Sequence, residues 1–89
     1  MKISVLFFAQ LRELAGIRQT EVTLAEGSRL VDLIQQLSRQ YGSAFKREMA
    51  NIAGLRILVN GQENEVLEGP ETQLKEGDNI VLLPPVAGG

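Results

Sequence analysis

The chain has no cysteine and no histidine among its 89 residues. Without cysteine it can form neither a disulfide nor a thiolate metal site, so nothing of that kind staples it. Without histidine it also lacks the commonest general base, and the best thiol nucleophile is missing as well. No G-x-x-x-x-G-K-[ST] or G-x-G-x-x-G stretch is present to cradle ATP or a dinucleotide. No apolar run is long enough to span a bilayer. The net charge of −2 speaks against nucleic acid as the main partner. Asp32, Glu48, Glu63, Glu65 and Asp78 are scattered without metal-ligand spacing and read as a solvated surface. These absences describe a chain that is acted upon rather than a catalyst in itself.

What is present is enough for one small core. The composition is 44% hydrophobic, and this length suits a single domain near the lower size limit for an unaided core. The start, Met1 to Phe8, is briefly like a signal peptide, but Arg12 and Glu13 interrupt it and no cleavage site follows. A cytoplasmic location is the expectation. No linker, repeat or low-complexity segment divides the chain.

Residues 2–8 form an apolar run of strand length, and 19–25 alternate with Thr20, Val22 and Leu24 on one face. Between them, Ala9 to Ala15 suits a short helix ended by Gly16. After the Glu26-Gly27 break, Leu30, Leu33, Ile34, Leu37 and Tyr41 fall at helical spacing up to Gly42. Ser28 is the expected cap, and Asp32 in the first turn favours the helix dipole. Phe45, Met49 and Ile52 predict a second short helix over 43–53. Leu55, Ile57 and Val59 alternate into Asn60-Gly61, a two-residue hairpin signal, with a return strand over about 62–67. Turns at Gly69-Pro70 and Lys75 to Asp78 precede a last strand over 79–83. This order predicts an α+β domain whose sheet wraps one main helix, with additional short helices.

The first and last strands are the most continuously apolar, which suits central positions. If Ile3, Val5, Phe7, Ile80 and Leu82 face the main helix, then Leu6, Phe8, Val81 and Leu83 point the other way. Two readings stay open for these four. They form an apolar partner patch, or the short helix at 9–15 folds over them.

The sequence then ends on Pro84-Pro85-Val86-Ala87-Gly88-Gly89. The prolines cannot donate to a sheet ladder and favour a stiff, extended exit. Glycine has no Cβ and can enter a slot too narrow for other residues. The expectation is a domain over residues 1–83 and an extended tail over 84–89, whose terminal carboxylate on Gly89 is the reactive group.

Val5-Leu6-Phe7-Phe8-Ala9-Gln10-Leu11-Arg12-Glu13-Leu14-Ala15-Gly16, Val59-Asn60-Gly61, Leu74-Lys75-Glu76-Gly77-Asp78 and Pro84-Pro85-Val86-Ala87-Gly88-Gly89 together carry a resemblance. The chain resembles the ubiquitin-like sulfur carriers with the β-grasp fold, most closely the small subunits of molybdopterin synthases. The resemblance implies a non-catalytic, sulfur-donating subunit of molybdenum or tungsten cofactor biosynthesis. Gly89 would be adenylated by a separate ATP-dependent activating enzyme and converted to a thiocarboxylate with sulfur from a donor such as a persulfide protein. Within the synthase it would pass that sulfur to cyclic pyranopterin monophosphate. No cofactor or metal is bound by the carrier itself, and neither nucleic acid nor membrane is a partner. Gly88, Ala87, Val86, Pro85 and Pro84 would be the approach to the reactive end. Phe8, Arg12 and Leu83, with Leu6 and Val81 beside them, would meet the large subunit.

Arg29 stands where such carriers often have a capping Thr or Ser, Leu83 where an aromatic is frequent, and Glu68 to Thr72 lengthen the approach to the last strand. The alternatives are a carrier for another pathway (thiamine thiazole or cysteine), a protein modifier joined through Gly89 to target lysines, and a binding module with an inert tail.

Overall fold

A computed structural model describes residues 1–51 and 54–85. Along the chain run β1 (Lys2–Phe7), α1 (Ala9–Ala15), β2 (Gln19–Thr23), α2 (Leu30–Tyr41), α3 (Ser43–Asn51), β3 (Arg56–Val59), β4 (Gln62–Glu63), a 3-10 turn (Gly69–Glu71) and β5 (Asn79–Leu83). The five strands form one mixed sheet in the order β2-β1-β5-β3-β4. β1 and β5 are parallel, and every other pairing is antiparallel. The apolar first and last strands therefore do lie inside the sheet, flanked on both sides by others.

Strand alternation decides which side chains enter the core. Ile3, Val5 and Phe7 of β1 and Ile80 and Leu82 of β5 are wholly buried against the helices. The apolar stripe of α2 supplies Leu30, Leu33 and Leu37, and α3 adds Phe45. Phe7 meets Tyr41 and Phe45 edge-on, with ring centroids 5.5 and 5.8 Å away, spacings at which edge-to-face pairs are favourable.

The Asn60-Gly61 turn behaves as its sequence predicts. Both residues adopt positive φ, 52° and 85°, the backbone required at the two centres of a type I′ hairpin turn. Asn60 does more than turn the chain. Its amide donates to Asp78 Oδ1 at 2.9 Å, and its oxygen accepts from the Asn79 N–H at 2.8 Å. That clasp fixes the start of β5 against the hairpin, and the buried Asp78 carboxylate also accepts from the Lys75 N–H.

Three expectations differ from what forms. The return strand expected over 62–67 stops at Glu63, because the Asn64 carbonyl accepts from both the Leu67 and Gly69 N–H groups. These local bonds curl the chain out of the ladder and leave Val66 75% exposed. Ser28 is not the cap of α2. Its carbonyl accepts from the Leu74 N–H and the Leu30 N–H donates to Thr72, so this stretch is held extended beside residues 72–74. The helix then starts one residue later, with Arg29 as N-cap and its N–H donating to Asp32 Oδ2 at 2.8 Å. Phe8, expected at the end of the first strand, is the extended N-cap of α1. Ile52, expected in the second short helix, lies outside the described residues.

Candidate functional site

The side chains that alternate away from the helices meet on the other face of the sheet. Leu6 of β1 pairs in register with Val81 of β5, and Val81 in turn with Leu58 of β3. Leu83 stands opposite Arg56 at the end of β5. Leu6, Phe8, Leu58, Val81 and Leu83 are each half-buried, and none belongs to the core cluster or packs against it.

The position of α1 speaks against the reading in which this helix folds over the face. Its Leu11 is wholly buried with Phe7 and Phe45 in the core, and the helix packs against α3. It lies on the helical side, and among the described residues no helix covers the outer face. The sequence reading missed Leu58, although the alternation of Leu55, Ile57 and Val59 already put it on the opposite face.

The junction between β1 and α1 separates Phe8 from Leu11. Ala9 is held at a φ of +53°, a conformation that costs a residue with a Cβ roughly 1–2 kcal/mol. The turn leaves Phe8 on the outer face and sends Leu11 inward. Arg12 lies along the same edge. Its guanidinium carbon is 5.5 Å from the Phe8 ring centroid, and its Nε–H donates to the Phe7 carbonyl at 3.3 Å. A cation over an aromatic face at this distance is attracted to the ring, so Arg12 helps to hold Phe8 in place. On the far side of β5, Arg56 forms an ion pair with Glu63. The apolar strip therefore carries a guanidinium on either side of the strand that leads to the tail.

Pro84 continues the alternation of β5 inward and is buried, whereas Pro85 is exposed. Pro85 runs past Gly54, and a Cβ placed on Gly54 would be 3.6 Å from its ring. The first residue of the expected tail is thus packed on the domain. Val86, Ala87, Gly88 and Gly89 lie outside the described residues. Among the described residues, no group of three or more acidic side chains is placed to hold a metal ion, and no helix is long and apolar enough to cross a membrane.

The sequence pattern of the ThiS family matches residues 5–89. A molybdopterin synthase sulfur carrier subunit of Chlamydomonas reinhardtii is 30% identical over 90 residues, with the whole of both chains covered. The small archaeal modifier protein 3 of Haloferax volcanii is 29% identical over 92 residues, again covering both completely. Among solved structures, a putative molybdopterin converting factor subunit 1 from Pyrococcus furiosus superposes with a TM-score of 0.78 at 30% identity, over 97% of this chain and 99% of that one. The sheet order, the single main helix and these likenesses agree on an α+β, ubiquitin-like β-grasp domain. The chain belongs to the ThiS family and is a sulfur carrier of the ubiquitin-like type.

Proposed function

We propose that the chain is the sulfur-donating small subunit of a molybdopterin synthase, serving molybdenum or tungsten cofactor assembly, with the Gly89 carboxylate as the group that carries sulfur. The observation that supports this most is the apolar strip of Leu6, Phe8, Val81 and Leu83 at the foot of the tail, which no described helix covers, in a chain that matches a molybdopterin synthase sulfur carrier subunit along that protein's whole length. A large subunit that seats on this strip receives the tail in its own pocket. Arg12 and Arg56 at the margins favour a partner surface with acidic groups in register.

The chemistry follows from the carboxyl group. An ordinary α-carboxyl ionises near pH 3.5, so at neutral pH it is an anion and a poor electrophile. Attack of its oxygen on the α-phosphorus of ATP, in a separate activating enzyme, gives an acyl-adenylate and releases pyrophosphate. Sulfide attack on the acyl carbon expels AMP and leaves the thiocarboxylate. A protein persulfide instead gives an acyl disulfide, and a second thiol must reduce it to release the same product. In the synthase the thiocarboxylate sulfur would then attack an oxygen-bearing carbon of cyclic pyranopterin monophosphate, the new C–S bond replacing a C–O bond whose oxygen leaves with the electron pair. Hydrolysis of the resulting thioester would leave the sulfur on the pterin and return the Gly89 carboxylate. The small final glycines would let the acyl group enter both enzymes.

A second reading is favoured by the likeness to small archaeal modifier protein 3. The same adenylate, attacked by a lysine amine, would give an isopeptide bond. Mass spectrometry of the chain from its native host separates the two. Oxygen-to-sulfur exchange at the terminus supports the carrier, whereas Gly-Gly remnants on lysines of other proteins support the modifier. An unmodified terminus under conditions of active cofactor synthesis overturns the first reading.

A further inference from the structure

On the side of the molecule opposite the outer strip lies a groove of about 690 Å³ between α2, α3 and β3. Its floor is apolar, formed by Ile34, Met49, Leu55 and Ile57, and its charged lining residues are Arg39 and Lys46, both cations. A smaller depression continues it through the shared residues Val31, Ile34 and Ile57, and ends at Asn64 and Pro70. The segment that bounds the far end, through Asn64 and Pro70, carries the opposite sign. The segment from Glu63 to Glu71 holds four glutamates and no lysine or arginine. Val66, the most exposed large apolar side chain among the described residues, projects from the same segment with 75% of its surface free.

The groove is therefore lined by cations at one end and bounded at the other by a segment that carries the exposed Glu65 and Glu68, with an apolar floor between. Val31 and Arg39 are eight residues apart on α2, which separates the ends by roughly 12 Å at helical rise. Glu63 and Glu71 already pair with Arg56 and Arg29. Among the described residues, Glu65, Glu68, Arg39 and Lys46 form no ion pair within the chain, and all four are exposed.

From this we infer that the groove is an isologous contact surface for a second copy of the chain. A two-fold axis near Ile34 and Ile57 lays the two grooves antiparallel. Each copy's Val66 then enters the apolar floor of the other, and Glu65 and Glu68 reach Arg39 and Lys46. An isologous contact requires one patch to complement itself after rotation, and segregated charges of opposite sign at its two ends meet that condition. The outer strip stays free on both copies, because Leu58 and Val81 point away from Ile57 across the sheet.

Sedimentation equilibrium of the full chain over rising concentration, at low and high salt, tests this. A reversible monomer–dimer equilibrium, weakened by salt, is the expected result. Lys46→Glu and Val66→Asp should each weaken association at least tenfold, and Lys46→Glu combined with Glu65→Lys should recover most of the loss. Both positions are exposed, and circular dichroism melts verify that the variants fold. Leu83→Asp on the opposite face should leave the dimer unchanged. A chain that stays monomeric at millimolar concentration overturns the inference, as does a dimer indifferent to Lys46 and Val66 or one lost with Leu83→Asp. Binding of an acidic, apolar peptide in the groove of a monomeric chain also overturns it and assigns the groove to another occupant.

Discussion

The two faces of the sheet are built from the same strands and nearly the same residue types, yet they are in different states. In β5, Ile80 and Leu82 are wholly buried beneath the helices, while their neighbours Val81 and Leu83 are half-exposed. In β1, Val5 and Phe7 are buried and Leu6 is not. The amino acids do not make this difference; the helices do, because the three among the described residues lie on one side. Apolar side chains in an interior strand are ordinary where a second layer covers them. Where the described helices leave them uncovered, they form a candidate contact surface, on which the proposed docking of a large subunit rests. One face holds the domain together, and the other is free to do something else.

The largest expected effect separates both faces from the tail. Deleting Gly88-Gly89, or extending the chain beyond Gly89, should abolish sulfur transfer in a reconstituted assay. Thermal stability should move by no more than the roughly ±0.5 kcal/mol typical of surface changes. Sulfur transfer by the truncated chain would show that the reactive group is not the Gly89 carboxylate.

Adjacent substitutions in β5 set the two faces against each other. Leu82→Ala should cost about 2–5 kcal/mol of folding stability, since it opens a cavity in the core. Leu83→Asp should instead leave the fold nearly intact and cost several kcal/mol in affinity for the large subunit, about 3–5 if the charge is buried unpaired. Phe8→Asp should behave like Leu83→Asp. Melting curves and titration calorimetry on the same samples read both quantities. A collapse of stability in Leu83→Asp, with normal binding by the folded remainder, would make the outer strip part of the core.

Much of this division was legible in the sequence, because strand alternation is a period of two and needs no tertiary information. It placed Ile3, Val5, Phe7, Ile80 and Leu82 inward and Leu6, Val81 and Leu83 outward. The helix of residues 30–41 was equally plain from its apolar spacing. What alternation cannot give is the direction in which a short helix swings. Leu11, Leu14 and Ala15 share one side of a helix by their spacing, and only packing against α3 shows that Leu11 goes to the core while Leu14 stays 38% exposed. The end of β4 was hidden for a related reason. Asn64 to Glu68 carries no strong turn signal, and local bonds to the Asn64 carbonyl win over the ladder. The cap of α2 moved because a distant segment, residues 72–74, holds Ser28 and Arg29 extended. The groove, with cations at one end and a glutamate-bearing segment bounding the other, was not visible at all, since it joins residues far apart in the chain.

A smaller effect is expected at the joint between the faces. Ala9 at positive φ directs Phe8 outward and Leu11 inward. Ala9→Val places a β-branched side chain where even alanine is strained, and it should destabilise the domain by about 1–3 kcal/mol. Ala9→Gly removes the steric strain and adds a smaller amount of freedom to the unfolded chain, so stability should be unchanged or slightly raised. If valine were tolerated as well as glycine, the left-handed turn would not be what divides the two side chains.

The smallest effect belongs to Arg12, at the rim of the open face. Its guanidinium rests over the Phe8 ring and donates to the Phe7 carbonyl, so it contributes order to Phe8 as well as charge to the margin. Arg12→Ala should cost the isolated domain little, because a partly exposed cation–π contact contributes only about 0.5–1 kcal/mol. Its larger signature lies in the kinetics of partner binding, since a rim charge chiefly sets the association rate and its salt dependence. Stopped-flow association with the large subunit should therefore slow at low ionic strength and converge with the unaltered chain at high salt, where exposed charges are screened. Arg12→Lys keeps the charge but loses the planar group that stacks on Phe8. It should recover the fast association while leaving dissociation faster than in the unaltered chain. Equal association rates for the alanine variant and the unaltered chain at low salt would remove Arg12 from the binding surface and leave it a support for Phe8 alone.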